Sequence, residues 1–136
     1  MEVLEHFIAG APRFALYFLV SVALLILFLI IYLRATPHRE IALIRSGNVA
    51  AALSLSGTML GFAIPLAHAV AQSVSLLDML LWGAIAMVVQ LFVFLVVSRI
   101  IPEISRDIAG GKVAQGAFLG ALSLATGILN AASMTY

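Results

Sequence analysis

Residues 14–33 read FALYFLVSVALLILFLIIYL and contain no Asp, Glu, Lys or Arg. A helix needs roughly 20 such residues to cross the hydrocarbon core of a bilayer. Three similar runs follow, so the predicted membrane spans are residues 14–33, 49–71, 77–97 and 113–134. We expect helices rather than strands, because an open sheet of four strands would leave its edge amides without hydrogen bonds in lipid.

The composition of the whole chain agrees with four membrane spans. Of its 136 residues, 64% are hydrophobic and 10% are charged, whereas an ordinary soluble domain has roughly 45–50% and about 25%. We therefore predict an all-α membrane protein that forms a single domain over residues 1–136. The lack of cysteine excludes disulfides and thiolate catalysis. The net charge of +1 gives no bulk attraction to nucleic acid, which is not an expected partner.

The segment before the first run does not resemble a cleavable signal peptide. It carries Glu2 and Glu5 and a single basic residue, Arg13. The apolar run that follows is too long for the core of a signal peptide, and it ends at Arg34 without a small-residue cleavage site. We expect this run to be retained as the first span.

Basic residues are concentrated in the first and third loops. Six of the seven lie there: Arg34, Arg39, Arg45, Arg99, Arg106 and Lys112. Loops rich in Lys and Arg stay in the cytoplasm. The pattern therefore predicts a basic cytoplasmic face, with the N-terminus, the second loop and the C-terminus on the periplasmic side of an inner membrane.

The two basic loops share a pattern of arginine, proline and glycine. Arg34 and Arg99 each stand three residues before a proline, and each loop ends in glycine. Proline favours the start of a helix and glycine its end, so each loop is predicted to hold a short amphipathic helix at the level of the headgroups. The alternative is that these loops form a docking surface for a cytoplasmic protein.

The likeness of the loops extends to an internal repeat. Arg34 and Pro37 align with Arg99 and Pro102 at an offset of 65 residues. We predict two units, residues 14–71 and 77–134, each with a large-residue helix, a basic loop and a small-residue helix. Two helices return the chain to the same side, so the units are predicted to be parallel two-helix repeats related by an axis along the membrane normal.

Small and polar residues recur at spacings of three and four in the second and fourth spans, which places them on one face of each helix. In the second span they are Ser54, Thr58, Gly61, Pro65, His68 and Gln72. In the fourth span they are Gly116, Gly120, Ser123, Gly127 and Asn130. Small residues let helix backbones approach closely in lipid. We expect these two spans to form the inner interface, with the first and third more exposed to lipid; the alternative is a polar track that lines a solute path.

The remaining polar residues of the spans are few. Gln90 lies in the middle of the third span, where an unpaired amide is unfavourable. We expect Gln90 and Asn130 to bond neighbouring helices rather than a substrate, and Asp78 to cap the third helix. His68 lies near the outer end of its helix and is expected to be interfacial or hydrogen-bonded. The alternative is a polar pocket formed by His68, Gln72, Asp78 and Asn130 that opens to the outer face.

Enzyme signatures are missing from the sequence. The three histidines lack zincin-like spacing, and no phosphate-binding loop is present. No carboxylate lies inside a predicted span to relay protons. We therefore predict no catalytic residue, no cofactor and no metal site.

Several short stretches, taken in order, resemble a known family. Residues 36–40 read TPHRE, residues 56–61 read SGTMLG, and residues 64–66 read IPL. Trp82-Gly83, Gln90-Leu91 and the sequence NAASMT over residues 130–135 complete the set. The set resembles the YjfL family of small bacterial inner-membrane proteins, which is domain of unknown function 350. The resemblance implies a paired-helix unit often found in tandem, and it implies no activity, cofactor or catalytic residue.

The second unit departs from the first at one position. Asn48 follows Gly47 in the first unit, whereas Lys112 follows Gly111 in the second. Any role that depends on the asparagine would therefore belong to one half only.

Taken together, these patterns predict a non-enzymatic protein of the bacterial inner membrane. The expected function is a membrane scaffold or partner-binding module that uses the basic cytoplasmic face. The alternative is a small channel or transporter with a polar path along the second and fourth spans. Four short helices leave little interior, so the alternative requires a homo-oligomer. The expected partners are the lipid bilayer, a cytoplasmic protein and further copies of the chain.

Overall fold

A computed structural model describes residues 1–135, which form helices and connecting turns. The helices are α1 (Glu2–Ala35), α2 (Glu40–Arg45), α3 (Val49–Gln72), α4 (Leu76–Ile100), α5 (Ile104–Ala109) and α6 (Val113–Ser133). Four of them, α1, α3, α4 and α6, are long and apolar enough to cross a membrane. The predicted class, an all-α membrane protein with four long apolar helices, is confirmed.

The first helix is longer than the predicted span. It begins at Glu2 rather than at residue 14 and has 34 residues, which corresponds to about 51 Å at 1.5 Å per residue. The hydrocarbon core is only about 30 Å thick. The apolar run therefore marks the part of α1 that matches the bilayer, and the backbone continues as helix through the more polar residues before it. A long, a short and a long helix occur in this order twice, while the internal repeat itself stays a prediction.

The short helices α2 and α5 end in the same way, as the basic loops predict. Gly47 and Gly111 have φ values of 88° and 83°, a left-handed conformation that glycine adopts without steric strain. The N–H of the residue after each glycine donates back into the helix, from Asn48 to Leu43 O at 2.9 Å and from Lys112 to Asp107 O at 3.0 Å. This is the bonding of a Schellman motif, which stops a helix and turns the chain.

The bundle is centred on the interface between α3 and α6, where the two helix backbones touch. A Cβ atom added at Gly57 would overlap the backbone of Gly120, and one added at Gly127 would overlap Gly61. A Cβ atom added at Gly116 would likewise overlap the backbone of Ala50. Apolar side chains gain little by leaving lipid for another apolar surface, so close backbone contact is what holds such helices together. The small-residue faces are therefore a packing interface.

The prediction of which helices face lipid is right for α1 and wrong for α4. Within the apolar window of each helix, 6% of α1 residues are buried, compared with 56% for α3, 39% for α4 and 28% for α6. The helix α4 is buried because Gly83, Ala86 and Gln90 turn toward the other helices. This face is narrow, and the many leucines and valines around it make the helix look uniformly lipid-facing in the sequence.

We expect that adding one methyl group to the α3–α6 interface destabilises the bundle. Gly120→Ala places a Cβ against the carbonyl of Leu53, and overpacking of this kind costs roughly 1–3 kcal/mol. Gly10→Ala is the matched control, because within the described residues no atom beyond its neighbours and the adjacent backbone of α1 lies within 4 Å of the added Cβ. The measurement is thermal unfolding of both variants in a mild detergent. Equal transition temperatures for the two variants would contradict backbone contact at Gly120.

Candidate functional site

Most of the predicted polar face of α3 and α6 lies inside the bundle. Thr58 donates to the carbonyl of Ser54 at 2.9 Å, and its Oγ1 lies 3.3 Å from the hydroxyl of Ser123. The Nε2 of Gln90 donates to the Ser123 carbonyl at 3.1 Å, which joins α4 to the same point. All four side chains are buried. These polar groups thus form hydrogen bonds within the bundle. The close contact of α3 with α6 leaves no lumen between these two helices in a single chain.

The hydroxyl of Tyr32 connects α1 to this buried polar cluster. It lies 3.4 Å from Thr58 Oγ1. One turn earlier on α1, Phe28 stacks on Phe62 of α3 at a centroid distance of 4.4 Å. Both α1 aromatics are fully buried, and they are the buried residues of that helix. The second half of α1 is therefore fixed to the bundle by two aromatic rings.

The residues of the predicted outer pocket have separate environments. Asp78 is not the cap of α4: the hydroxyl of Ser75 accepts from the Asp78 N–H at 3.2 Å, and the Asp78 carboxylate accepts from the N–H of Val74 at 3.3 Å. This reciprocal pattern resembles a capping box, so the carboxylate is engaged at its own helix end. His68 is half-buried and has an interaction partner, while Gln72 is exposed. Asn130 is half-buried, and its Nδ2 has no hydrogen-bond partner among the described residues.

The end of the bundle that carries α2 and α5, called the basic end below, exposes all six predicted basic side chains. These are Arg34, Arg39, Arg45, Arg99, Arg106 and Lys112. Two of them form ion pairs on α5 or beside it, Arg106 with Glu103 at 3.8 Å and Lys112 with Asp107 at 3.3 Å. The other four have no ion pair within residues 1–135. The surface therefore keeps a net positive charge.

Asn48 ties the two halves of the basic end together. Its Oδ1 accepts from the N–H of Ala51 at 2.9 Å and so caps α3. Its Nδ2 donates across to the carbonyl of Ile108 at 2.9 Å, in α5. Lys112, which holds the corresponding position before α6, makes no such cap. The role of Asn48, which caps α3 and bonds α5, is therefore found in the first half only. This agrees with the difference between the two units in the sequence.

A buried pair of titratable residues lies beside the basic end. His38 Nε2 and Glu40 Oε1 are 2.9 Å apart, and the two side chains are 2% and 0% exposed. The distance is that of an ion pair, although the angles are not those of a hydrogen bond, and the other polar atoms of both side chains lack partners within the described chain. Among residues 1–135, no third Asp, Glu, His or Cys joins them to form a group that could hold a metal ion.

The ring of Phe94, on α4, lies beside the His38 ring of this pair. Its centroid lies 6.4 Å from the His38 ring and 6.0 Å from the Tyr32 ring. Sequence reasoning missed the pair, because a charged residue at the start of a short interfacial helix is expected to face water. The available signal was the TPHRE stretch at residues 36–40, which contributes to the family resemblance and places His and Glu two residues apart behind a proline.

Four long apolar helices with a basic end and a closed polar core define a polytopic α-helical membrane protein. Residues 6–134 match the family described as Domain of Unknown Function (DUF350), and the chain belongs to this family. The match confirms the resemblance seen in the sequence.

Two relatives with curated names show where proteins of this kind reside. The chain is 45% identical over 131 residues to the UPF0719 inner membrane protein YjfL of Escherichia coli (strain K12), covering 96% of this chain and 99% of the relative. It is 32% identical over 93 residues to the UPF0719 transmembrane protein YshE of Bacillus subtilis (strain 168), covering 68% and 69%. No solved structure matches. The protein is thus an inner-membrane protein of an uncharacterised family.

We expect the two members of the buried pair to depend on each other. His38→Leu leaves the buried Glu40 without its partner, and removing one partner of a buried pair costs about 3–5 kcal/mol. The double variant His38→Leu with Glu40→Met removes both polar groups and is expected to recover most of that loss. The measurement is the free energy of unfolding in detergent.

The control for this pair is Arg39→Leu, which changes the exposed residue between them and is expected to alter stability by no more than about 0.5 kcal/mol. If His38→Leu behaves like this control, or if the double variant is less stable than the single one, the two residues are not coupled as the structure has them.

Proposed function

We propose that the protein is a non-enzymatic membrane scaffold whose basic end binds an acidic surface of a cytoplasmic protein. The observation that carries the proposal is the exposure of six cationic side chains on one end of the bundle. Most of these charges lack an ion pair within the described residues. Charge complementarity speeds the encounter of two partners and selects between them.

The fixed geometry of the basic end supports a binding role. Asn48 joins the turn after α2 to α5, and the Schellman turns at Gly47 and Gly111 end both short helices. A surface that is ordered before binding loses less conformational entropy on association than a flexible loop does. Anionic headgroups compete for the same side chains, at about 1 kcal/mol per Lys or Arg near the membrane surface.

The sidedness of the proposal follows from the positive-inside rule. The basic end lies in the cytoplasm, and both termini lie in the periplasm. Arg13 is the one Lys or Arg of the sequence outside the basic loops.

The alternative, a homo-oligomeric channel or transporter, needs a path between chains. The polar groups that would line it, Thr58, Ser123 and Gln90, are buried inside one chain and bonded to one another. This arrangement favours the scaffold. The oligomeric state in a mild detergent separates the two functions, because a monomer leaves the channel without a lumen.

The proposed topology predicts the activity of reporter fusions. Alkaline phosphatase, which is active only in the periplasm, is expected to be active when fused to the C-terminus and inactive when fused after Arg45. A reporter that is active only in the cytoplasm is expected to give the reverse. Activity of the phosphatase after Arg45 would overturn the orientation.

The partner-binding role predicts a charge-dependent crosslink in cells. A photo-crosslinking residue at the exposed Ile41 of α2 is expected to give a discrete product with one cytoplasmic protein. Replacing Arg39, Arg45, Arg106 and Lys112 with Gln together is expected to abolish that product, because the attraction to an acidic surface is lost. Arg34 and Arg99 stay in place to preserve the orientation, which the phosphatase fusions verify.

The control for the crosslink is Arg13→Gln at the opposite end of the bundle, which is expected to leave the product unchanged. An undiminished product in the fourfold variant, with correct orientation, would mean that the basic residues do not bind the partner. A product that contains only a second copy of the chain would favour the oligomeric alternative.

A further inference from the structure

The first half of α1 stands apart from the rest of the bundle and leaves an open cleft beside α3. The cleft lies at the end opposite the basic end, has a volume of about 400 Å³, and is lined by Arg13, Phe14, Tyr17 and Ser73 among others. A second cavity of about 310 Å³ continues it along the same two helices and shares Ser21, Val70 and Ala71 with it. One cleft thus runs from the helix ends toward the middle of the bundle.

The outer part of this cleft offers two unused polar groups. Arg13 lies over the ring of Tyr17, with its Cζ 5.2 Å from the centroid, and it has no ion pair among the described residues. The residue Ser73 is only 8% exposed, and its hydroxyl has no hydrogen-bond partner in residues 1–135. Buried hydroxyl groups are normally bonded. A cation and an unpartnered hydroxyl donor that line the same cleft are suited to bind an anionic group.

The inner part of the cleft is apolar. Its walls are Val22 and Leu25 on α1 and Ala63, Leu66 and Ala67 on α3. The small alanines of α3 make room that a larger residue would fill. Arg13 stands immediately before the apolar run of residues 14–33, so its guanidinium group lies at the level of the headgroups when that run crosses the hydrocarbon core.

We propose that the cleft binds one phospholipid of the surrounding membrane. Its phosphate accepts hydrogen bonds from Arg13 and from the Ser73 hydroxyl, and one acyl chain lies between α1 and α3. A free phosphate would leave the apolar part empty, whereas a fatty chain without a phosphate would leave both polar groups unpaired. The combination of one cation, one hydroxyl and a long apolar cleft therefore selects a phospholipid.

The acidic groups at this end of the bundle are compatible with a phosphate at Arg13. Glu5 is eight residues earlier on α1, which is about 12 Å along the helix axis, and Glu2 is farther still. The Asp78 carboxylate already accepts from the N–H of Val74. None of these three carboxylates forms an ion pair with Arg13 within the described residues, so the guanidinium group is available to a phosphate.

Native mass spectrometry of the purified protein in a mild detergent tests this proposal. Phosphatidylethanolamine is added in increments, and the affinity of the first bound lipid is measured. Arg13→Gln is expected to weaken that affinity about tenfold, which is the effect of losing one hydrogen bond to a charged group. Ser73→Ala is expected to weaken it less. Dioleoylglycerol, which lacks the phosphate, is expected to bind with no preference for wild type over Arg13→Gln.

Variants of the apolar part separate this cleft from the ordinary lipid shell. Ala67→Phe fills the cleft and is expected to abolish the first binding step, whereas Ala84→Phe, at an exposed position of α4, is expected to leave it unchanged. Both substitutions are identical and both positions are exposed, so a folding defect would affect them alike. If the wild type, Arg13→Gln and Ala67→Phe all bind the first phosphatidylethanolamine with equal affinity, the proposal is overturned. The proposal is also overturned if the wild type is a dimer and Ala67→Phe is a monomer, because the cleft is then occupied by a second copy of the chain.

Discussion

Contact between the backbones of α3 and α6 is the constraint on which the rest of the fold depends. Because glycine faces glycine or a main-chain carbonyl along this interface, the two helices lie close enough for Thr58 and Ser123 to meet. Gln90 of α4 can then reach the Ser123 carbonyl, and Tyr32 of α1 can reach Thr58. Each of the other long helices is thus held through a polar group that the α3–α6 contact places. In lipid, where apolar side chains give little net attraction, such contacts decide the arrangement.

The sequence allowed the architecture to be predicted more fully than the site. Apolar length gave the four long helices, because the thickness of the hydrocarbon core sets that length physically. The glycines of the second and fourth spans gave the central interface, because close approach has few other solutions. The arginine, proline and glycine pattern gave the two short helices, since local turn geometry depends on few residues.

The features that could not be predicted from the sequence depend on contacts between residues that are distant in the chain. In the sequence Glu40 looks like a solvated charge, whereas in the structure both Glu40 and His38 are buried, and the ring of Phe94 from another helix lies beside His38. The inward face of α4 is narrow, and its leucines and valines conceal it. The cleft beside α1 has no local sequence pattern, because its walls come from two helices that are distant in the sequence. The proposed role of Ser73 becomes visible only in the structure, where it lines the same cleft as Arg13, which is 60 positions away in the sequence.

The central contact also has a consequence for biogenesis. It joins α3 to α6, the last helix of the described chain, so the translocon must release the whole helical region before the contact can form. Until then Gln90 is already in the membrane without the Ser123 carbonyl to which it donates in the finished bundle, whereas Thr58 keeps its bond to Ser54 within α3. Insertion and folding are therefore separate stages for this protein. A chain inserted only as far as α5 therefore holds the Gln90 amide in lipid without the carbonyl that it bonds in the complete bundle, an unfavourable state that the arrival of α6 relieves.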